Sequence, residues 1–414
     1  MKSSFYLKCG LSLLAMMFIV GLSSRHSFYN DTISSPFLGV ALLSVFLILV
    51  RTRFSWLEIG GVLVLLSVLA LLDLRFLGYP AAWPVWASLL GLSSLAVLAC
   101  RAVWSAGPDR GLAVFTVVPA FLFVASEWCA DYFLAWTKQT HPKVLDLYLY
   151  SFDASLHVQI PFAVGRLFQQ SFYFGVVSFL FYVGLPLAIG LTFAGCLVRD
   201  RKNAFSAFLA FLLTGPIGGL LYNLFPALGP VHIFKQSFPW HPLTIEQASR
   251  LVLQAVPGEG ARNAMPSLHA TWAFLVLWYS WRLSLAERIA AGLFLFFTLC
   301  ATVGLGEHYF IDLVVAVPFA LFILASAALL AKGDFRRLYL PLMVGGSVTG
   351  IWFVALRQAI RVFWVSPLIP WLSCALTLVV CCYAARKLST PESHAACEPL
   401  VSQFPTPGMK TREA

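Results

Sequence analysis

The sequence predicts an all-α, polytopic membrane protein with about twelve transmembrane helices, and three observations carry that prediction. Of 414 residues, 60% are hydrophobic and only 11% charged, with a mean hydropathy of +0.83, far above the balance of a soluble domain. The apolar residues fall in runs of roughly 20, the length an α-helix needs to cross a hydrocarbon core about 30 Å thick. The basic residues lie between these runs and not in one patch or arm, so the formal charge of +10 does not indicate a nucleic-acid binder.

Taken in order, the runs lie near residues 5–24, 36–50, 55–74, 81–100, 111–134, 171–197, 204–225, 266–283, 285–305, 308–331, 338–356 and 363–386. The first follows Lys2 and Lys8 and reads as a span or as a signal peptide, although no A-x-A cleavage site follows it. Alternate loops collect 18 of the 28 Lys and Arg residues, among them Arg199, Arg201, Lys202, Arg336 and Arg337. The positive-inside rule then places both termini in the cytoplasm. The intervening loops face the periplasm of a bacterial inner membrane or the lumen of a eukaryotic secretory membrane.

Two outward loops are long. Lys138 to Gln170 mixes Asp146, Asp153 and Arg166 with apolar residues at helical spacing and is expected to form helices lying in the membrane interface. Pro226 to Met265 opens with "PALGP" and carries "FPWHPL", punctuation typical of a helix end. The nine cysteines contain no C-x-x-C pair, so they suggest small buried hydrophobes and neither a disulfide frame nor a zinc site. From Ser389 onward the prolines indicate a disordered cytoplasmic tail. The chain thus divides into N-terminal helices (1–105), a central membrane domain (106–332), two C-terminal helices (333–388) and a tail (389–414).

Chemistry concentrates in two stretches of the central domain, "ARNAMPSLHATWAF" (261–274) and "GLGEHYFIDLVVA" (304–316). In the first, Pro266 suits the first turn of a helix and Ser267 can cap it, which puts His269 at a helix N-terminus. There the unpaired N–H groups and the positive end of the macrodipole favour a phosphate, and a histidine beside it can donate a proton to a departing oxygen. In the second stretch His308 and Asp312 are four apart, within reach on one helical face. An aspartate at the centre of a membrane helix costs about 2.5–3.5 kcal/mol to insert, so a partner is expected. Paired with one imidazole nitrogen, Asp312 would fix the tautomer and leave the other nitrogen free to attack, making His308 a nucleophile.

Both histidines head outward-starting spans, so they share one membrane depth and together permit a two-step phosphoryl transfer. Arg262 is the nearest cation to the first motif, with Lys235 and Arg250 further off. Asn263 reads as a cap or a minor phosphate contact. Isolated histidines such as His26, His141, His157, His232 and His241 read as interfacial anchors, and Glu307 points about 100° away from His308 on an ideal helix.

"MPSLHA" resembles the P-S-x-H motif, and "GEHYFID" the H-x-x-x-D motif, of the type 2 phosphatidic acid phosphatase superfamily of membrane lipid phosphatases and phosphotransferases. With "LYNLFPALGP" (221–230) ahead of them, the order is most similar to the inositol phosphorylceramide synthase branch. The resemblance covers roughly residues 110–330 and implies a six-helix catalytic core. It implies His269 as acid and base, His308 as nucleophile and Asp312 as its orienter. The chain departs from the phosphatases in having no Arg-Pro dipeptide, and Ala301 and Thr302 stand where those enzymes carry Ser-Arg. Those departures favour the transferase branch.

The sequence therefore predicts a lipid phosphotransferase or phosphatase with no cofactor and no metal, acting on a phospholipid or sphingolipid in the bilayer. Arg262, Ser267 and Asn263 are its expected phosphate-binding residues, and Tyr222, Pro226 and Gly229 its candidate pocket. A competing class is a secondary transporter or flippase using Asp73, Arg75, Glu127 and Asp131, although no paired broken helices are seen. An inactive scaffold of the same fold is a third reading. No signal for an oligomeric state is present.

Overall fold

The computed structural model describes residues 36–389 except 53 and 78–81, and not the side chains of 76, 77, 128, 131 and 389. The expected first span, the tail beyond Ser389 and the side chain of Asp131 lie outside the described residues.

The described residues are helical almost throughout, as their composition requires in a medium where backbone groups must be satisfied internally. The helices are α1 (Pro36–Arg51), α2 (Trp56–Leu72), α3 (Trp83–Trp104), α4 (Gly107–Thr140), α5 (Asp146–Ser155), α6 (Ile160–Gln170), α7 (Phe172–Val183), α8 (Leu185–Arg199) and α9 (Arg201–Leu224). There follow the short α10 (Pro230–Phe234) and α11 (Ile245–Ser249), then α12 (Leu268–Ser280), α13 (Leu285–Gly304), α14 (Phe310–Lys332), α15 (Phe335–Gln358) and α16 (Leu368–Ser389).

Among the described residues, eight helices are long and apolar enough to cross a membrane, and α7 and α8 meet that length and apolarity only as a pair, bent by 54° at Gly184 into a broken span or a re-entrant loop. Three of the twelve expected runs therefore differ. The 171–197 run is this bent pair, α1 has 16 residues, and the 266–283 run yields a helix of 13 residues. Hydropathy counts apolar residues and does not register where the backbone turns. Thirteen residues rise only about 20 Å. The rest of that passage is the non-helical segment Ala264–Ser267, whose side chains are all buried. Irregular backbone is tolerated in a membrane only in such protein-lined surroundings.

Local signals set the helix ends. Ser55 with Glu58 and Ser284 with Glu287 form capping boxes that open α2 and α13, and Gly333, at φ 75°, closes α14 in the left-handed conformation glycine tolerates. Buried packing falls in two layers along the bundle. One, through its middle, includes Ile48, Phe193, Phe208 and Ile323. The other lies at the end where α14 begins and includes Phe152, Phe162, Tyr309 and Trp352.

The long loop after α4 differs from its expectation. In place of helices lying on an interface, α5 is wedged inside the second layer, with Leu149 through Ser155 all buried. Phe152 meets Trp352 and Phe363 edge-on at 5.4 and 4.9 Å. A two-residue antiparallel bridge, Lys143–Val144 against Val256–Pro257, ties this loop to the one before α12.

Candidate active site

The two histidine stretches meet at the end of the bundle where α12 and α14 begin. Ser267 N–H donates to the Asp312 carbonyl at 3.3 Å, and His308 Nδ1 lies 2.9 Å from the Ala264 carbonyl. The "PALGP" turn joins them. Val231 N–H donates to Gly306 O at 3.0 Å. Gly229 sits at φ 114°, where any Cβ would fall 2.3 Å from Glu307 O, so glycine is required at that close approach.

The helix α12 starts one residue later than the spacing suggests. Pro266, after a cis peptide, stands outside the first turn, and Ser267 is the N-cap, its Oγ accepting from Ala270 N–H at 3.3 Å. That hydroxyl keeps its own proton for donation. His269 follows in the first turn, stacked face to face on Tyr182 of α7 at 3.9 Å and 9°. Phe37 and Trp272 meet its ring edge-on, each with centroids 6.5 Å away. It is half-buried, and neither ring nitrogen has a hydrogen-bond partner among the described residues. The stack fixes the plane of the ring while both nitrogens stay available.

His308 differs in each respect. It is 1% exposed, and it precedes α14 instead of lying on it, with its N–H donating to Thr302 O at 3.1 Å. A carbonyl can only accept, so the contact with Ala264 O requires the hydrogen on Nδ1 and leaves the Nε2 lone pair free. Asp312 was expected to fix this tautomer. Its Oδ2 instead lies 3.6 Å from Nδ1, at ion-pair range, and accepts Tyr309 N–H at 2.7 Å. Oδ1 is buried without a partner among the described residues. The carbonyl sets the tautomer, and the carboxylate stands ready to stabilise positive charge on the ring. The two imidazoles lie within electrostatic reach of each other.

Two further carboxylates, not assigned a role from sequence, hold this arrangement. Tyr309 is the N-cap of α14 and has no short acceptor for the orphan N–H groups of the first turn. Asp153 of α5 supplies it, accepting Phe310 N–H at 2.7 Å and Ile311 N–H at 3.1 Å. Asp146, seven residues earlier on the same helical face, accepts Gly229 N–H at 2.8 Å, Leu228 N–H at 3.1 Å and the Tyr309 hydroxyl at 3.2 Å. Burial pushes the carboxyl of Asp146 up to about 7 and that of Asp153 well above its ordinary range. Two acids seven apart in an apolar helix, "DLYLYSFD", were the available signal: buried aspartates are rare without partners.

Arg262, expected to bind phosphate, is instead turned into the loops. Its side chain is 1% exposed and clamps the loops together, with Nε on His141 O at 2.9 Å, one terminal nitrogen on Gly258 O at 2.9 Å and the other on Gly260 O. With its donors on carbonyls and its charge buried, it holds the loop before α12 in shape. Arg250 is exposed and paired with Glu246 at 2.7 Å, and Lys235 is exposed. Asn263 is half-exposed beside Arg262.

Tyr222 of α9 is buried and engages the Leu268 backbone in the first turn of α12. Pro226 accepts Leu145 N–H at 2.8 Å. Asn223 bonds His141 Nε2 at 3.0 Å, and His232 faces Glu307 at 3.4 Å; the Glu307 carboxylate beside it raises the histidine above its ordinary value. Glu127, half-buried on α4, and Glu307 both lie within electrostatic reach of Tyr182, which places Glu127 toward the histidine site. The seven described cysteines are free, and no His, Cys, Asp and Glu cluster suited to a metal occurs among the described residues.

Residues 147–326 match the family model of the PAP2 superfamily, a helical membrane fold whose members are phosphatases and phosphotransferases. The matched stretch contains both histidine motifs, Asp153 and the turn at Gly229. No curated protein and no solved structure matches the chain.

Proposed function

We propose that this protein transfers a phosphoryl or phospho-headgroup group from a lipid donor to an alcohol or water through a covalent intermediate on His308. The observation that carries the proposal is a contact: His308 Nδ1 lies 2.9 Å from the Ala264 carbonyl, which can only accept and so requires the hydrogen on Nδ1, and Nε2 has no partner among the described residues. Nε2 attacks phosphorus, the bond to the lipid oxygen breaks, and protonated His269 gives that oxygen its proton. Neutral His269 then takes a proton from the incoming alcohol or water, whose oxygen attacks phosphorus and releases His308. Asp312, 3.6 Å from Nδ1, stabilises the cationic ring in between. Ser267 and the first turn of α12 receive the phosphate oxygens, with Asn263 at the rim.

Residues 106–332 form the catalytic unit in this reading, which takes in the whole family match. The charge bias of the loops puts the site on the non-cytoplasmic face with both termini inside. The missing Arg-Pro and Ser-Arg elements favour a transferase, of the type that makes inositol phosphorylceramide, over a phosphatase.

The test is a product assay on purified protein, wild type beside His308→Ala, with phosphomonoester and phosphodiester lipids and with ceramide or diacylglycerol as acceptor. A new headgroup-bearing lipid that needs both acceptor and His308 is the expected result. Free phosphate without acceptor would make the protein a phosphatase, and product from His308→Ala would remove the covalent mechanism.

A further inference from the structure

A cavity of about 550 Å³ lies between α9, α14 and α15, on a face of α9 that the histidine site does not use. Phe211, Gly215, Gly218 and Tyr222 turn toward α12, where Trp272 Nε1 donates to Phe211 O at 3.0 Å. Ile217, Leu221 and Leu224 turn the other way and form one wall of the cavity. Phe319, Phe322 and Phe353 form the others. On α15, Gly346 and Gly350 make the hollow, and a Cβ built at Gly350 would meet nothing within 4 Å.

Apart from Thr349, whose hydroxyl donates to Gly345 O at 2.8 Å, the lining is apolar except at one end. There Arg357 and Gln358, both exposed at the end of α15, stand at the mouth, with exposed Arg361 one turn beyond. Arg357 makes no ion pair or hydrogen bond among the described residues. Helix polarity places this mouth at the end of the bundle where α14 begins.

An apolar slot in a membrane domain with a cation at its interfacial mouth complements an acyl chain carrying a negative headgroup. We infer that this cavity binds an anionic glycerophospholipid of the bilayer, with one acyl chain between Phe322 and Phe353 and the headgroup phosphate on Arg357. The occupant is a bound lipid apart from the reacting one, since the first turn of α12 lies on the other face of α9.

The probe is the purified full chain in nanodiscs containing either phosphatidylglycerol or phosphatidylcholine with a photoactivatable group in the acyl chain, the adducts being mapped by peptide mass spectrometry. Adducts on the segments holding Phe322 and Phe353, several-fold more from phosphatidylglycerol, are expected. Gly350→Phe fills open space and should cut them about tenfold with the thermal midpoint held, while Arg357→Gln should abolish the preference between the lipids. Adducts mapping elsewhere, unchanged yield in Gly350→Phe, equal capture of both lipids by the wild type, or chain-to-chain cross-links through the cavity would each overturn the assignment.

Discussion

The two ends of the bundle hold their acidic side chains in opposite ways. Where α12 and α14 begin, Asp146 and Asp153 accept mainly main-chain N–H groups, and no Lys or Arg is paired with either, or with Asp312, among the described residues. At the other end Glu287 of α13 carries both Arg51 of α1 and Arg199 of α8, the latter at 2.5 Å, and also accepts from Ser284 N–H at 2.8 Å. Main-chain donors are fixed by the helices that bear them, so an acid held this way transmits its position to the backbone of the His308 segment. Long, partly exposed guanidinium side chains give adjustable clasps worth about 0–1 kcal/mol each. One end is built for geometry and the other for adhesion.

The largest effect is expected at Asp153. Asp153→Ala leaves Phe310 and Ile311 N–H without their acceptor, costs about 0.5–2 kcal/mol as a lost cap, and displaces His308 enough to lower turnover on the order of 100-fold. Asp153→Asn retains one acceptor and should recover part of the rate. Rates at wild-type level in Asp153→Ala, with the protein folded by thermal melt, would show that this carboxylate does not position the site.

A smaller effect is expected at Asp146, through pH. Its folded carboxyl sits near 7 against an ordinary 3.8, so folded chains hold the proton more tightly than unfolded ones. The stabilisation from this group is full below about pH 4 and is lost as pH rises through 7. Asp146→Asn should flatten the melting temperature across that window. A profile as steep as wild type would assign the dependence to other groups.

The smallest effect on activity belongs to the adhesive end. Glu287→Gln should keep turnover within about twofold, because the histidines lie at the far end of α12, and should lower the melting temperature only slightly, since partly exposed ion pairs are worth about 0–1 kcal/mol each. A loss of turnover matching that of Asp153→Ala would erase the distinction between the ends.

Much of the site was legible because its residues are close in sequence to helix starts. Ser267 and His269 could be placed from cap preferences, and His308 near Asp312 from their spacing, although His308 precedes α14 and does not lie on it. Asp153 and the Ala264 carbonyl were not, since their partners are 157 and 44 residues away and a carbonyl leaves no trace in a side-chain pattern. Arg262 is not legible in this way, because an arginine before a span looks the same whether it faces a phosphate or the loop carbonyls of His141, Gly258 and Gly260. The Tyr182 stack has no local signal at all. Among the spans, long uniform runs were read correctly. The 266–283 run was overextended because apolar residues continue through the buried turn before Ser267.

The proposed mechanism requires a phosphohistidine on His308. Rapid acid-free quenching of the purified protein with a lipid donor phosphorus-labelled in its headgroup, followed by alkaline peptide mapping, tests it directly. Label on the peptide containing His308, absent in His308→Ala and discharged when acceptor is added, is the predicted result. Turnover with no protein-bound label at any quench time, or label that persists in His308→Ala, would contradict it.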